Sequence, residues 1–267
     1  MRHGITFRGR HSNEFNTIVK TVGRPITPPV RQVDEEVPYR DGNVDCSESG
    51  GRLFYDDKVL ELEFMLIAPN TTELQKSVSR FINWLSGGYG ELIFDDMPYV
   101  RWIAKPTNLE DLTINLYKNG KSKIQFRCRP FNKFMFDSNG IPLDSDVPLD
   151  SDVPIGFGDE NEINFSGDYS GTLDYQGSAP VRPSVIVDLE QGVTAVNLTV
   201  NNSEINISVG DVRTFVIDCE NGYMPEGVTG DFCELLPGEN NIEIECDGGG
   251  MVFFDYKHNF MYGEVII

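Results

Sequence analysis

The chain has 267 residues, 39% of them hydrophobic, which is enough for folded protein, too much for general disorder, and room for two domains. Its 42 Asp+Glu against 22 Lys+Arg give a net charge of −20, which disfavours sequence-specific DNA binding and anionic membrane surfaces. Apolar runs such as residues 64–68 are far too short to span a bilayer, and the start Met1-Arg2-His3-Gly4-Ile5 lacks a secretory h-region, so folding in a cytoplasm is expected.

In chain order, residues 15–19 and 30–33 read as short β runs separated by Gly23, Pro25, Pro28 and Pro29. Glu36-Val37-Pro38-Tyr39-Arg40-Asp41-Gly42 reads as a proline-flanked strand, followed by Gly50-Gly51-Arg52 and a half-wet strand over 58–67. Asn70 is a natural N-cap with Glu73 three residues on, a capping-box spacing. Leu74, Val78, Phe81, Ile82 and Leu85 then form one apolar helical stripe that Gly87-Gly88 ends, with Trp84 expected in the core.

Residues 92–94 and 99–103 flank the turn signal Asp95-Asp96-Met97-Pro98. Residues 112–117 and 122–127 flank Lys118-Asn119-Gly120-Lys121, and Asn-Gly predicts a two-residue hairpin turn. One helix among antiparallel strands makes residues 1–136 an α+β domain.

Pro142-Leu143-Asp144-Ser145-Asp146-Val147 then repeats unchanged as residues 148–153, before Pro154. Spaced prolines and aspartates favour extended, solvated chain, so 137–154 reads as a linker. Residues 155–267 read as all β, with strands over 182–188, 193–201, 204–209, 213–218, 240–246, 251–256 and 263–267. That spacing, with turns at Asn201-Asn202-Ser203, Gly210-Asp211 and 247–250, predicts a sandwich. The charge divides at the same place. Residues 1–136 hold 19 basic and 17 acidic residues, net +2, and residues 137–267 hold 3 and 25, net −22.

Catalytic chemistry is sparse. His3, His11 and His258 read as surface histidines, with no nucleophile spaced for a triad. Cys46, Cys128, Cys219, Cys233 and Cys246 are odd in number, scattered and without a CxxC pair, so reduced, half-buried thiols are expected. Asp144, Asp146, Asp150 and Asp152 lack the glycine and glutamate of an EF-hand loop. Gly156-Phe157-Gly158 lacks the third glycine and helix of a dinucleotide site. No catalytic, cofactor or metal residue is assigned, and the chain reads as no enzyme. In the second half only Tyr and Phe, such as Tyr169, Tyr175, Tyr223 and Tyr256, are available to stack on a sugar, and buried strand positions are expected for them.

The ordered set comprising residues 37–42, 82–90, 92–96 and 123–131 resembles the N-terminal domain of the distal tail proteins of long non-contractile-tailed bacteriophages. Two departures stand out. Tyr39 occupies a position where many relatives have glycine, and the PLDSDV duplication is foreign to the pattern. The resemblance implies a virion structural protein of a phage or prophage, a hub component at the tail tip assembled in the bacterial cytoplasm. It implies that residues 1–136 form a hexameric ring joining the tail tube to host-adhesion proteins. It further implies a galectin-like sandwich over 155–267 on the outside. The implied partners are other copies of the chain, the tail-tube protein and tail-tip adhesion proteins, without membrane or sequence-specific nucleic acid. A carbohydrate-binding module recognising host-wall sugar is the alternative reading of the second half.

Overall fold

The computed structural model describes residues 4–109, 116, 120–135 and 161–261. The chain divides into two compact units, the first running to Lys133 and the second from Phe134 to Phe260.

The first unit holds β1 (Ile5–Phe7), β2 (Arg10–His11), β3 (Thr17–Gly23), β4 (Asp34–Glu35), β5 (Val44–Asp45) and β6 (Lys58–Leu66). Helix α1 (Thr71–Leu85), β7 (Gly90–Phe94), β8 (Met97–Pro106), β9 (Lys121–Cys128) and β10 (Asn132–Phe134) follow. The main sheet runs β2-β1-β7-β8-β9-β6-β3, while β4 and β5 pair only with each other. In β6 the period-two pattern places Lys58, Leu60, Leu62, Phe64 and Leu66 inward, with Leu60 opposite Phe126 and Leu62 opposite Ile124 on β9. The α1 stripe seals that face. Phe81 lies 5.1 Å from Phe64, Trp84 stacks on Phe15 at 4.5 Å, and the Trp84 indole N–H donates to the Phe7 carbonyl at 3.0 Å.

Local signals account for the helix ends, with one correction. Asn70 Oδ1 accepts from the Glu73 N–H at 2.9 Å, but the Glu73 carboxylate takes Lys76 Nζ at 2.9 Å, so only half of the expected capping box forms. Gly87, at φ +130, leads the chain away after Ser86.

Three other expectations change. Residues 36–42 are no strand: they lie in the turn between β4 and β5, with Tyr39 at φ +65 and Gly42 at φ +75. Of the run 15–19, Phe15 closes a 3-10 turn and Asn16 adopts φ +51 before β3 begins, while Val30 makes only an isolated bridge to Tyr55. The Asn-Gly hairpin is the third: residues 110–115 and 117–119 lie outside the described residues, but Leu116, expected in a strand, is helical and the Gly120 N–H donates to its carbonyl at 3.0 Å. With φ +65, Gly120 ends a helical turn, as left-handed glycines do, and β9 pairs with β6 and β8 instead.

Burial of Lys58 was not readable from the chain. Its inward register puts the ammonium 4.3 Å from the Trp102 ring and 3.0 Å from Asn132 Oδ1, opposite Cys128. Burial pushes the ammonium down to about 8 from an ordinary 10.5 and the Cys128 thiol up to about 12 from 9.0. Above about pH 8 the folded chain has released a proton that the unfolded chain still binds, so stability rises with pH. Above about 9 the folded thiol retains a proton that the unfolded one loses, which works the other way. Stability is expected to rise by about 1 kcal/mol between pH 8 and 9 and then level off. Urea titrations across pH should show the rise vanish in Lys58→Met, and Cys128→Ala should extend it upward.

The second unit holds β11 (Glu162–Ser166), β12 (Tyr169–Tyr175), β13 (Ser184–Leu189), β14 (Ala195–Val200) and β15 (Ser203–Ser208). It continues with β16 (Thr214–Asp218), β17 (Val228–Gly230), β18 (Gly238–Cys246), β19 (Gly249–Asp255) and β20 (Asn259–Phe260). Two antiparallel sheets, β11-β19-β13-β16 and β12-β18-β14-β15-β17, share one core. Leu173, Leu198, Ile205, Ile242 and Ile244 enter it from one sheet, and Val185, Val187, Ile217, Val252 and Phe254 from the other. Six predicted strands overlap β13, β14, β15, β16, β18 and β19, whereas β11, β12, β17 and β20 were not anticipated and residues 263–267 lie outside the described residues. The chain overall is mostly β with one long helix among the described residues.

Candidate functional site

The described titratable groups hold structure together. His11 is part of a network, not a loose end. Its Nδ1 accepts from the Asn13 N–H at 3.1 Å and its Nε2 lies 3.0 Å from Asp95 Oδ1, while Asp95 Oδ2 accepts from the Gly4 N–H at 2.7 Å. With both ring nitrogens engaged, His11 has none left to activate a nucleophile. His258 is buried, not superficial. It stacks on Tyr175 at 5.5 Å and 10°, with Tyr256 edge-on at 5.4 Å. His3 lies outside the described residues, as do the Asp144–Asp152 aspartates and Gly156-Phe157-Gly158. Among the described residues no cluster of three His, Cys, Asp or Glu side chains is placed to hold a metal, and no helix is long and apolar enough to cross a membrane.

A groove of about 580 Å³ runs between Asn13, Asn16, Thr17 and Ile18 on one side and Ile67, Ala68 and Pro69 on the other. It offers amides and one hydroxyl, without an acid or a base. Of the four second-half tyrosines, Tyr175 and Tyr256 are buried, Tyr169 packs against the core, and only Tyr223 is largely exposed. A sugar-stacking platform built from these four would therefore have one ring.

The first unit carries a feature of another kind. Residues 24–57 form an arm, and no residue between Val19 and Leu60 belongs to the core. Every residue from Pro29 to Asn43 is exposed. The arm nevertheless displays Ile26, Val30, Val33, Val37, Tyr39 and Phe54, of which Ile26 is 72% exposed and Tyr39 fully so. Its shape comes from a few ties. Arg31 N–H donates to the Phe54 carbonyl at 2.7 Å, Asp56 N–H to the Pro29 carbonyl at 2.9 Å, Cys46 N–H to the Val33 carbonyl at 2.7 Å, and Arg31 pairs with Asp56 at 2.8 Å. A stretch of apolar side chains held in place without a core of its own is a surface made for contact.

The outward face of β9 has the complementary chemistry. Alternation turns Lys121, Lys123, Gln125 and Arg127 outward, and Arg129 continues the row. Lys123 meets Glu61 at 2.8 Å and Arg127 meets Asp57. The exposed Tyr89 ring lies beside this row, with Lys105 Nζ at 5.0 Å and Arg129 Cζ at 5.5 Å from its centroid. The arm holds 4 basic and 8 acidic residues, net −4, which leaves the rest of residues 1–136 at +6. Sequence reading found the proline-rich segments but not the basic row, whose signal was the alternation of Lys and Arg over 121–129.

Residues 14–128 match the family model of the phage tail protein RIFT-related domain. Over 96% of its length the chain is similar to the Dit protein of phage SPP1, with 98% of that chain covered, a TM-score of 0.62 and 13% identity. Residues 14–128 thus resemble a phage tail domain, and the chain shares the fold of the SPP1 protein. The SPP1 protein is described as a paradigm of the hub adsorption apparatus in phages that infect Gram-positive bacteria. The baseplate of phage P2, in its activated conformation with Ca, aligns over 97% of the chain and 98% of its own at 10% identity, with a TM-score of 0.32 that bears no weight. No curated protein matches the chain. The family match encloses the arm, α1 and every strand from β3 to β9.

Against that family pattern, Tyr39 now has a physical account. It takes the left-handed conformation that glycine adopts without strain, at φ +65. Tyr39→Gly is expected to stabilise the isolated chain by about 0.5–1 kcal/mol in urea unfolding, the relieved strain outweighing glycine's entropy.

Proposed function

We propose that the chain is the hub ring of a phage or prophage tail, joining the tail tube to the proteins that attach to the host, and that it does no catalysis. One observation carries this reading: the arm over 24–57, which displays apolar side chains, contributes nothing to its own core and lies within the family match. In the proposed ring the arm of one copy lies on the outward β9 face of the next. The acidic residues Asp34, Glu35, Glu36 and Asp41 then meet the basic row, and the apolar residues meet Ile18, Val59 and Ile103 on the half-wet face. Such a contact joins two different patches, so it propagates head to tail and closes by rotation, here into a hexamer. The short β4–β5 ladder leaves strand edges that a neighbour can pair.

The domain assignment belongs to the same proposal. Residues 1–136 form the ring, residues 137–154 are an acidic spacer, and residues 155–267 are a galectin-like sandwich facing outward. A net of −22 on residues 137–267 favours separation of those halves around a ring. Assembly takes place in the host cytoplasm, and the finished ring sits at the virion tail tip. Sugar recognition by the second half is the competing reading, and Tyr223 as the lone exposed ring of the four weighs against it.

Negative-stain imaging of the purified chain at high concentration tests the proposal, with light scattering on fragments 1–136 and 155–267. Sixfold rings from the full chain and association of the first fragment alone are expected. Stable twofold dimers as the end state, or association through 155–267 only, would overturn it.

A further inference from the structure

The five cysteines are free, but two of them meet in space. Cys219 and Cys233 lie in the second core with their sulfur atoms 3.6 Å apart, one 1% exposed and the other fully buried. The backbone puts them there. The Cys219 N–H donates to the Pro183 carbonyl at 3.2 Å, while Val181 and Leu235, two residues from each cysteine's anchor, exchange hydrogen bonds at 3.0 and 2.8 Å. Both thiols are thus held to one stretch, 181–183. Among the described residues, Cys46, Cys128 and Cys246 have no second cysteine sulfur within such reach.

We propose that Cys219 and Cys233 are a latent disulfide, open in a reducing cytoplasm and closed by a small-molecule disulfide once the protein meets an oxidising medium. A disulfide needs its sulfurs at about 2.05 Å, so closure requires about 1.5 Å of travel. The chemistry is two exchanges. The Cys219 thiolate attacks one sulfur of oxidised glutathione, whose S–S bond breaks and whose other half leaves and takes a proton. Cys233, deprotonated in turn, attacks the Cys219 sulfur and expels the second glutathione, which also takes a proton. Two cysteine thiols lose two electrons and two protons, and one glutathione disulfide gains them. Which thiol attacks follows from the pair's own hydrogen bond. Either sulfur can donate across the 3.6 Å contact, and with Cys219 ionised the Cys233 thiol donates to it, which favours the Cys219 thiolate and holds the Cys233 proton more tightly.

Access comes through the segment between them. Residues 220–227 form an exposed turn with Gly222 at φ +71 and Gly227 at φ +86, and Tyr223 there is 59% exposed. Opening of this turn uncovers Cys219, and the bond then ties it down across a separation of 14 residues. The timing rests on the tail-tip reading, in which the chain is made inside a cell and works outside one. The bond itself does not.

The test uses the full purified chain. After reduction it is incubated with oxidised glutathione, both in buffer and in urea just below the unfolding transition, then quenched, unfolded and alkylated. The expected product carries three alkyl groups where the reduced protein carries five, with one reductant-sensitive peptide linking Cys219 to Cys233. Its melting temperature should rise on the order of 10 °C, and Cys219→Ser and Cys233→Ser should each abolish both effects. Five alkylated cysteines in both media, a persistent glutathione adduct, or a cross-link involving another cysteine would overturn the proposal. None of these outcomes bears on ring formation, which imaging decides separately.

Discussion

Replacement of residues 33–46 by a short glycine linker is expected to leave the first unit folded and to abolish the self-association proposed for it. The folded state loses little, because no residue of this stretch enters the core and only Ser47, just beyond it, is buried. Its internal ties, such as Cys46 N–H to the Val33 carbonyl, disappear together with the groups they satisfy, while the Ser47 N–H, which loses Asp45 Oδ1 at 2.9 Å, can turn to water. Association loses Val33, Val37 and Tyr39 at one stroke. If two of these act as central anchors at about 2 kcal/mol each, the concentration needed for assembly rises on the order of a thousandfold. Urea unfolding should therefore be unchanged within about 0.5 kcal/mol while light scattering shows monomer throughout. A shortened chain that still forms rings would remove the arm from the interface. Reversal of charge on the opposite surface, with Lys123→Glu and Arg127→Glu, provides the complementary measurement and should raise the salt sensitivity of whatever association remains.

Trp84→Ala is expected to have the largest effect on stability. The indole stacks on Phe15, meets Phe81 at 5.7 Å and Phe7 at 6.2 Å edge-on, and donates to the Phe7 carbonyl. Truncation opens a cavity between α1 and the sheet, which costs about 3–5 kcal/mol for a buried aromatic. The abandoned Phe7 carbonyl adds a further ~1 kcal/mol or more. Against a total of about 5–15 kcal/mol for a domain, such a loss brings the first unit close to unfolding. The variant retains Trp102 as its one tryptophan, buried against Phe94, so fluorescence follows the same core. A loss below about 1.5 kcal/mol would mean that α1 closes over the gap. Trp84→Phe, which keeps most of the ring packing but not the donor, separates the two contributions.

Both predictions depend on distinctions that sequence alone makes unevenly. The helix over 71–85, its cap at Asn70 and its buried stripe were legible because they follow from spacing within a few turns of chain. The alternation in β6 was legible for the same reason, as were most strands of the second unit. The order of weak motifs over 37–131 was enough to indicate the tail family, and the step in charge near residue 137 is a property of composition. What remained hidden involves partners far apart in the chain. Asn119-Gly120 carries a hairpin signal, yet β9 finds its partners in β6 and β8, and Gly120 ends a helical turn. Lys58 looks like a strand-end cation until register places it opposite Cys128 and over Trp102. His258 looks like a turn residue until Tyr175, 83 positions earlier by the numbering, stacks on it. Cys219 and Cys233 meet because the turn after β16 and the loop before β18 share the anchor at 181–183. The sequence by itself determined periodicity, caps, charge distribution and the resemblance of its first half to a phage tail domain, all of which are set by near neighbours or by composition. The tertiary structure alone decided which polar groups are buried, which cysteines meet and which apolar residues stay outside, because burial depends on strand register and sheet order, and these are settled by the packing of the whole unit.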